Sequence, residues 1–129
     1  MEKQEIDTRP EDLKLVLVVE DNQALAVLIQ ESLLDDPDIR VLIVEDDQKA
    51  LKMGASLTPH LLMLRHRPFH RNIVEFLDAL RLCEGTQQAP IIVLSDNPPF
   101  SEPERTDLTV VQMPFQAEHL LRQVQDLLA

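Results

Sequence analysis

Short apolar runs recur along this chain, and most of them end in a charged or polar side chain. In chain order, the residues at these ends are Glu20, Asp21, Glu45, Asp46, Arg65, Ser95 and Met113. Carboxylates can bind a cation, whereas an arginine stays protonated and only donates hydrogen bonds. The chemistry open to these residues therefore depends on whether the fold brings the ends of the runs together.

The apolar runs are short and rich in branched side chains, which is typical of strands buried on both faces of a sheet. They predict five strands, at residues 13–19, 39–44, 60–64, 89–95 and 107–111. Between them, apolar residues recur at helical spacing, as Leu25, Leu28, Ile29 and Leu33 do. They predict four helices. The first covers residues 24–34, the second runs from the acidic turn at 45–47 to near Gly54, the third covers 72–83 and is closed by Gly85, and the fourth covers 116–128.

Strands that alternate with helices predict a doubly wound α/β domain with a parallel sheet. In such sheets ligands bind outside the carboxyl ends of the strands, where the chemistry-bearing residues fall. The fourth crossover, residues 96–106, contains Pro98, Pro99 and Pro103, which predict a short or missing helix. Residues 1–12 are predicted to be a solvated tail, and residues 13–129 one domain.

Composition excludes several classes of function. The net charge of −11 opposes binding to nucleic acid and to acidic membranes, and aromatic residues make up only 3% of the chain. Cys83 is the only cysteine, so no internal disulfide can form, which fits a reducing cytoplasm. The charged N-terminus does not look like a signal peptide. With two glycines, no glycine-rich phosphate loop is present, and no nucleotide cofactor is predicted.

Two stretches of similar sequence suggest a repeated unit. "VVEDNQALA" at 18–26 and "IVEDDQKAL" at 43–51 each read as the end of a strand, an acidic turn and the start of a helix. Asp21 or Asn22 is expected to cap the first helix. The acids at 45–47 could bind a cation, or serve only as turn and cap residues.

A basic stretch, "RHRPFHR" at 65–71, stands out in an acidic chain. Its Arg65, His66, Arg67 and Arg71 could form a site for an anion or an acidic partner, or only balance the acids nearby. Pro68 separates the two histidines and no third ligand is evident, so no metal site is predicted.

Four motifs in order carry a family resemblance. "LVVEDN", "PHLLMLR", "PIIVLSD" and "VVQMPF" resemble the receiver domains of bacterial two-component response regulators, over residues 13–129. The resemblance implies a flavodoxin-like fold with strand order 2-1-3-4-5. It also implies that Glu20 and Asp21 match the acidic pair that holds Mg²⁺, and that Ser95 matches the hydroxyl that contacts phosphate.

The chain departs from the family pattern where the phosphorylation chemistry lies. Arg65 stands where the family has its phosphoacceptor aspartate, Met113 where it has a lysine, and Val110 where it has an aromatic switch residue. The resemblance also implies a cis peptide bond between Met113 and Pro114. Since phosphoryl transfer needs an oxygen nucleophile and a cation on the developing charge, these losses predict a pseudo-receiver that is not an enzyme.

The expected function is phosphorylation-independent signal transduction through protein–protein contact, with no cofactor and no resident metal. Arg65 is expected to bond Glu20 or Asp21 in place of the ion. The alternatives are a sensor of small anions and a receiver phosphorylated on a displaced carboxylate, such as Asp21 or Asp46. The partners are expected to be signalling proteins, and a homodimer stays open.

Overall fold

A computed structural model describes residues 13–66, 73–96 and 106–129. Its elements, in chain order, are β1 (Lys14–Val19), α1 (Gln23–Leu33), β2 (Ile39–Val44), α2 (Asp47–Gly54), β3 (Leu61–His66), α3 (Ile73–Leu82), β4 (Ile91–Ser95), β5 (Leu108–Gln112) and α4 (Ala117–Leu128). The strands form one parallel sheet in the order β2-β1-β3-β4-β5, so the predicted fold class and strand order are confirmed. The predicted tail (1–12) and most of the fourth crossover (97–105) lie outside the described residues.

Two apolar clusters cover the two faces of the sheet. Alternate residues of a strand point to opposite faces, so Val16 and Val18 of β1 join one cluster and Leu17 and Val19 the other. The first cluster contains the buried faces of α1 and α4, and the second those of α2 and α3. Because both faces are covered, the central strands are apolar along most of their length, as the sequence pattern predicts.

The boundaries of most elements fall within two residues of prediction, but the end of β3 differs in a way that matters. The strand was predicted to end at Leu64, with the basic stretch 65–71 after it. It continues through Arg65 and His66, because β4 pairs alongside it as far as His66 opposite Ser95. Arg65 is therefore held by a strand rather than by a loop.

Gly85, which was expected to close α3, follows the end of the helix at Leu82, and no described glycine has a positive φ. Gly85 instead allows two segments of backbone to approach closely. Its N–H donates to the carbonyl of Gly54 at 2.9 Å, and a Cβ at this position would collide with the carbonyl oxygen of Leu57. The glycine is required by contact between the ends of α2 and α3.

One residue of the predicted apolar face of α1 lies outside it. Leu25, Ile29 and Leu33 are buried, but Leu28 is 46% exposed. The buried side of the helix instead includes Ala26 and Ser32, whose hydroxyl donates to the carbonyl of Leu28 at 2.7 Å.

The predicted cis peptide bond between Met113 and Pro114 is present.

Candidate functional site

The carboxyl ends of β1, β2 and β3 meet at one edge of the sheet. In the strand register Val19 is opposite both Val44 and Leu64. The N–H of Glu20 still donates to the carbonyl of Val44 at 2.9 Å, so Glu20 leaves the sheet at a fixed position. Arg65 is the residue after Leu64 on the neighbouring strand, and the topology therefore places the two charged residues side by side.

Arg65 and Glu20 form a largely buried ion pair. Arg65 Nη2 donates to Glu20 Oε2 at 2.9 Å, as expected from the sequence. Only 2% of the Glu20 side chain and 14% of the Arg65 side chain are exposed to solvent. Hydrogen bonds between charged groups are short and strong, and removing one partner leaves the other charge buried.

The same carboxylate oxygen accepts a second hydrogen bond from the chain. The backbone N–H of Asn22 donates to Glu20 Oε2 at 3.0 Å. Asn22 in turn caps α1, because its Oδ1 accepts the N–H of Leu25 at 2.9 Å. Glu20 therefore connects the start of α1 to the end of β3 through Arg65.

Asp96 completes the charged group, and sequence reasoning did not select it. Its Oδ2 lies 3.9 Å from Nη1 of Arg65, and its side chain is 40% exposed. Asp96 immediately follows Ser95, and the β3–β4 pairing places it next to the end of β3. The sequence could have indicated Asp96, because it directly follows the predicted fourth strand, next to the strand that ends near Arg65. Asp21, the other acid predicted to face Arg65, is exposed.

Ser95 is buried and Met113 is partly buried. Ser95 is the last residue of β4 and is fully buried, and its Oγ donates to the carbonyl of Asp96 at 3.3 Å. The N–H of Met113 donates to the carbonyl of Ser95 at 2.9 Å, and its side chain packs against the cluster under α1 and α4. Val110 lies on β5 and is 44% exposed.

Some of the other predicted site residues lie within the described part of the chain, and others lie outside it. Glu45 is exposed at the end of β2, and Asp46 caps α2, since its Oδ1 accepts the N–H of Lys49 at 2.8 Å. His66 belongs to β3, whereas Arg67 and Arg71 lie outside the described residues. Over the described ranges, no three His, Cys, Asp or Glu side chains are grouped to hold a metal ion.

A second arginine was not anticipated from the sequence. Arg81, in the last turn of α3, donates through Nε to Asp107 at 2.9 Å and through Nη1 to the carbonyls of Thr86 and Ala89 at 2.8 and 2.7 Å. These bonds connect the segment before β4 to the residue before β5. They lie at the amino ends of the strands, whereas Arg65 lies at the carboxyl end of β3. Arg81 therefore supports the fold rather than the candidate site.

Comparison with solved structures identifies the fold. The receiver domain of the sensor histidine kinase PA1611 from Pseudomonas aeruginosa, with a magnesium ion coordinated in its active-site cleft, matches with a TM-score of 0.75 at 21% identity, over 90% of this chain and 98% of that one. The receiver domain of the hybrid histidine kinase CckA matches with a TM-score of 0.69 at 24% identity, over 89% and 99%. The chemotaxis response regulator CheY4 of Vibrio cholerae matches with a TM-score of 0.71 at 20% identity, over 89% and 98%.

The chain therefore has the fold of a response-regulator receiver domain. No protein-family model matches the sequence, and no curated protein sequence matches it either. Within the described residues, no helix combines the length and the apolar character needed to cross a membrane.

Proposed function

We propose that this chain is a receiver domain that acts in signal transduction without being phosphorylated, through contact with protein partners in the cytoplasm. The observation that carries the proposal is the Arg65–Glu20 ion pair at the carboxyl edge of the sheet. A fixed guanidinium stands at the strand position where the resemblance implies the phosphoacceptor.

The chemistry of the side chains argues against phosphoryl transfer at this position. Arg65 has no lone pair to attack phosphorus, since its guanidinium stays protonated and only donates. Met113 has no charge with which to stabilise a transferred phosphoryl group. Ser95, which matches the family's phosphate-contacting hydroxyl, is fully buried at the end of β4.

A divalent cation does not fit the residues at this edge. Magnesium is coordinated in the active-site cleft of the PA1611 receiver domain. In this chain Oε2 of Glu20 already accepts hydrogen bonds from Arg65 and from the N–H of Asn22. Mg²⁺ needs several oxygen ligands in a near-octahedral arrangement, and a guanidinium 2.9 Å from the carboxylate would repel the ion. Arg65 already supplies the positive charge that the carboxylate needs.

The first test is phosphorylation from a small-molecule donor. The protein is incubated with acetyl phosphate and Mg²⁺, and its intact mass is measured under mildly acidic conditions. We expect no adduct. A stoichiometric phosphate adduct would refute the proposal, and Asp21→Asn and Asp46→Asn variants would then locate a displaced phosphoacceptor. Asp46 is poorly placed to accept a phosphoryl group, because its carboxylate caps α2.

The second test exchanges the internal cation for a metal ion. In Arg65→Asp, the new carboxylate lies beside those of Glu20 and Asp96 at the carboxyl ends of the strands. Repulsion between the three should destabilise the variant in the absence of a divalent ion. We expect its melting temperature to recover when Mg²⁺ is added, and that of the wild type to be insensitive to Mg²⁺. A magnesium-dependent increase in the wild type would show that Arg65 does not replace the ion.

A further inference from the structure

A groove of about 1000 Å³ lies beside the charged site, between the first half of α1 and the end of β2. Its apolar part is formed by Ala26, Val27 and Ile43. Its mouth is acidic, with the exposed Asp21 on one side and the exposed Glu45 on the other. The groove therefore combines an apolar lining with negative charge at its entrance.

The position of β2 at the edge of the sheet explains the apolar lining. On the face that α1 covers, Val16 and Val18 of β1 are fully buried, while Val41 and Ile43 of β2 are only partly buried. The helical cover on this face therefore thins between β1 and β2. An edge strand without full cover leaves apolar surface available to another molecule.

The exposed side of α1 carries two large aliphatic residues, one of which lines the groove. Val27 and Leu34 are seven residues apart, which places them on one side of the helix two turns from each other. They are 50% and 70% exposed, respectively. Val27 lines the groove together with Ile43 of β2, whereas the exposed Gln30 and Glu31 separate it from Leu34.

The repeated sequence concentrates negative charge at the mouth of the groove. The pairing of Val19 with Val44 brings the acids that follow β1 and β2 to adjoining strand ends. Glu20 is offset by Arg65, but Glu45, which lines the groove, is exposed. Negative charge held at one entrance favours a cationic partner and raises its rate of association.

We propose that this groove docks a cationic segment of a partner protein, which inserts a large aliphatic side chain between α1 and β2 and places Lys or Arg against Glu45. The proposal rests on the proposed function, since it names the partner chemistry for a domain that works by protein contact. A second copy of the chain fits poorly, because two molecules of net charge −11 repel each other.

The test uses two synthetic helical peptides with the same leucine positions, one carrying Lys and Arg and the other carrying Glu. Each is titrated into the ¹⁵N-labelled protein in the absence of any phosphodonor, and amide shifts are recorded. We expect the cationic peptide to shift the amides of Val27, Ile43 and Glu45 saturably, with an affinity that falls as salt is added. The glutamate peptide should shift none of them.

A matched pair of variants tests the location. Val27→Ser with Glu45→Lys should weaken binding of the cationic peptide roughly tenfold or more. Leu82→Ser with Glu84→Lys makes comparable changes, with the same change of charge, at exposed residues near the end of α3 and should leave the affinity unchanged. Circular dichroism of both variants establishes that they remain folded.

Any one of the following results would overturn the proposal. They are equal weakening by the two double variants, saturable shifts confined to β5 and α4, and no binding of the cationic peptide. Self-association abolished by the groove variant would assign the surface to a second copy instead. Failure of the proposed function is seen separately, as a phosphate adduct on the wild type, and that adduct would leave the peptide result standing.

Discussion

The two repeated units, residues 18–26 and 43–51, have similar sequences around a shared Glu-Asp pair but different surroundings. In each, a strand ends in a Glu-Asp pair and a helix follows. Glu20 is 5% exposed and bonds to Arg65, whereas Glu45 is exposed to solvent. The difference arises because β1 lies between β2 and β3, while β2 is an edge strand.

The units also differ in the residue that caps the helix. Asn22, two positions after Glu20, caps α1, but Asp46, one position after Glu45, caps α2. In the first unit the carboxylate of Glu20 turns inward and accepts the N–H of Asn22, so the turn has one more residue before the helix. Burial of one carboxylate therefore changes the local structure after it, which the similarity of the two sequences does not reveal.

The largest expected effect is that of Arg65→Ala. It leaves the carboxylate of Glu20 buried without its cation, and breaking a buried pair costs about 3–5 kcal/mol, so we expect a loss of about 2–4 kcal/mol at this partly open edge. Urea unfolding followed by circular dichroism measures the change. Arg40→Ala, at an exposed position of β2, is the control and should stay within about 0.5 kcal/mol. Equal losses would mean that Arg65 acts as a surface residue.

The comparison of the two units is sharpest with Glu20→Ala and Glu45→Ala. Glu20→Ala removes the acceptor of both Arg65 and the Asn22 N–H, and donors left without acceptors each cost about 1–3 kcal/mol. We expect a loss of about 2 kcal/mol, the lower end for two donors, because Asp96 still lies 3.9 Å from Arg65. Glu45→Ala should stay within about 0.5 kcal/mol, as exposed substitutions do. Denaturation midpoints measured in parallel test the difference, and similar values would remove the distinction between the units.

The smallest effect is expected where the units behave alike. Asn22→Ala and Asp46→Ala each remove a side-chain cap, which typically costs about 1 kcal/mol, so the two variants should lose similar stability in thermal melts. Gln116→Ala, at the N-cap of α4, is the control, because Gln116 makes no capping side-chain hydrogen bond. A much larger loss for Asn22→Ala would indicate that the cap depends on the Glu20–Arg65 pair.

Much of the fold could be predicted because its signals are local and repeated. Continuous apolar runs between helical patterns require a parallel sheet with both faces covered, and resemblance to receiver domains then implies the strand order. The contact between Arg65 and Glu20 was predictable from the same source, since adjacent strands end at the same edge. The site that the resemblance implies, with Ser95, Met113 and Val110, stays a prediction about function.

Other features depended on contacts between segments distant in sequence. The pairing of β3 with β4 extends β3 through Arg65 and His66. Gly85 resembles a helix cap in sequence but is needed for its approach to Gly54 and Leu57. The acceptors of Arg81 lie in the segment before β4 and at the start of β5, so its role has no local signature.

By itself, the sequence determined the alternation of strands and helices, the apolar faces, and the presence of an arginine where chemistry would require an acid. Those properties follow from side-chain periodicity and side-chain chemistry, which are local. Only the tertiary structure decided that Glu20, rather than Asp21, is buried against that arginine, while Asp21 is exposed. The reason is physical: the environment of a strand end depends on the strands beside it, and strand neighbours are set by the packing of the whole chain.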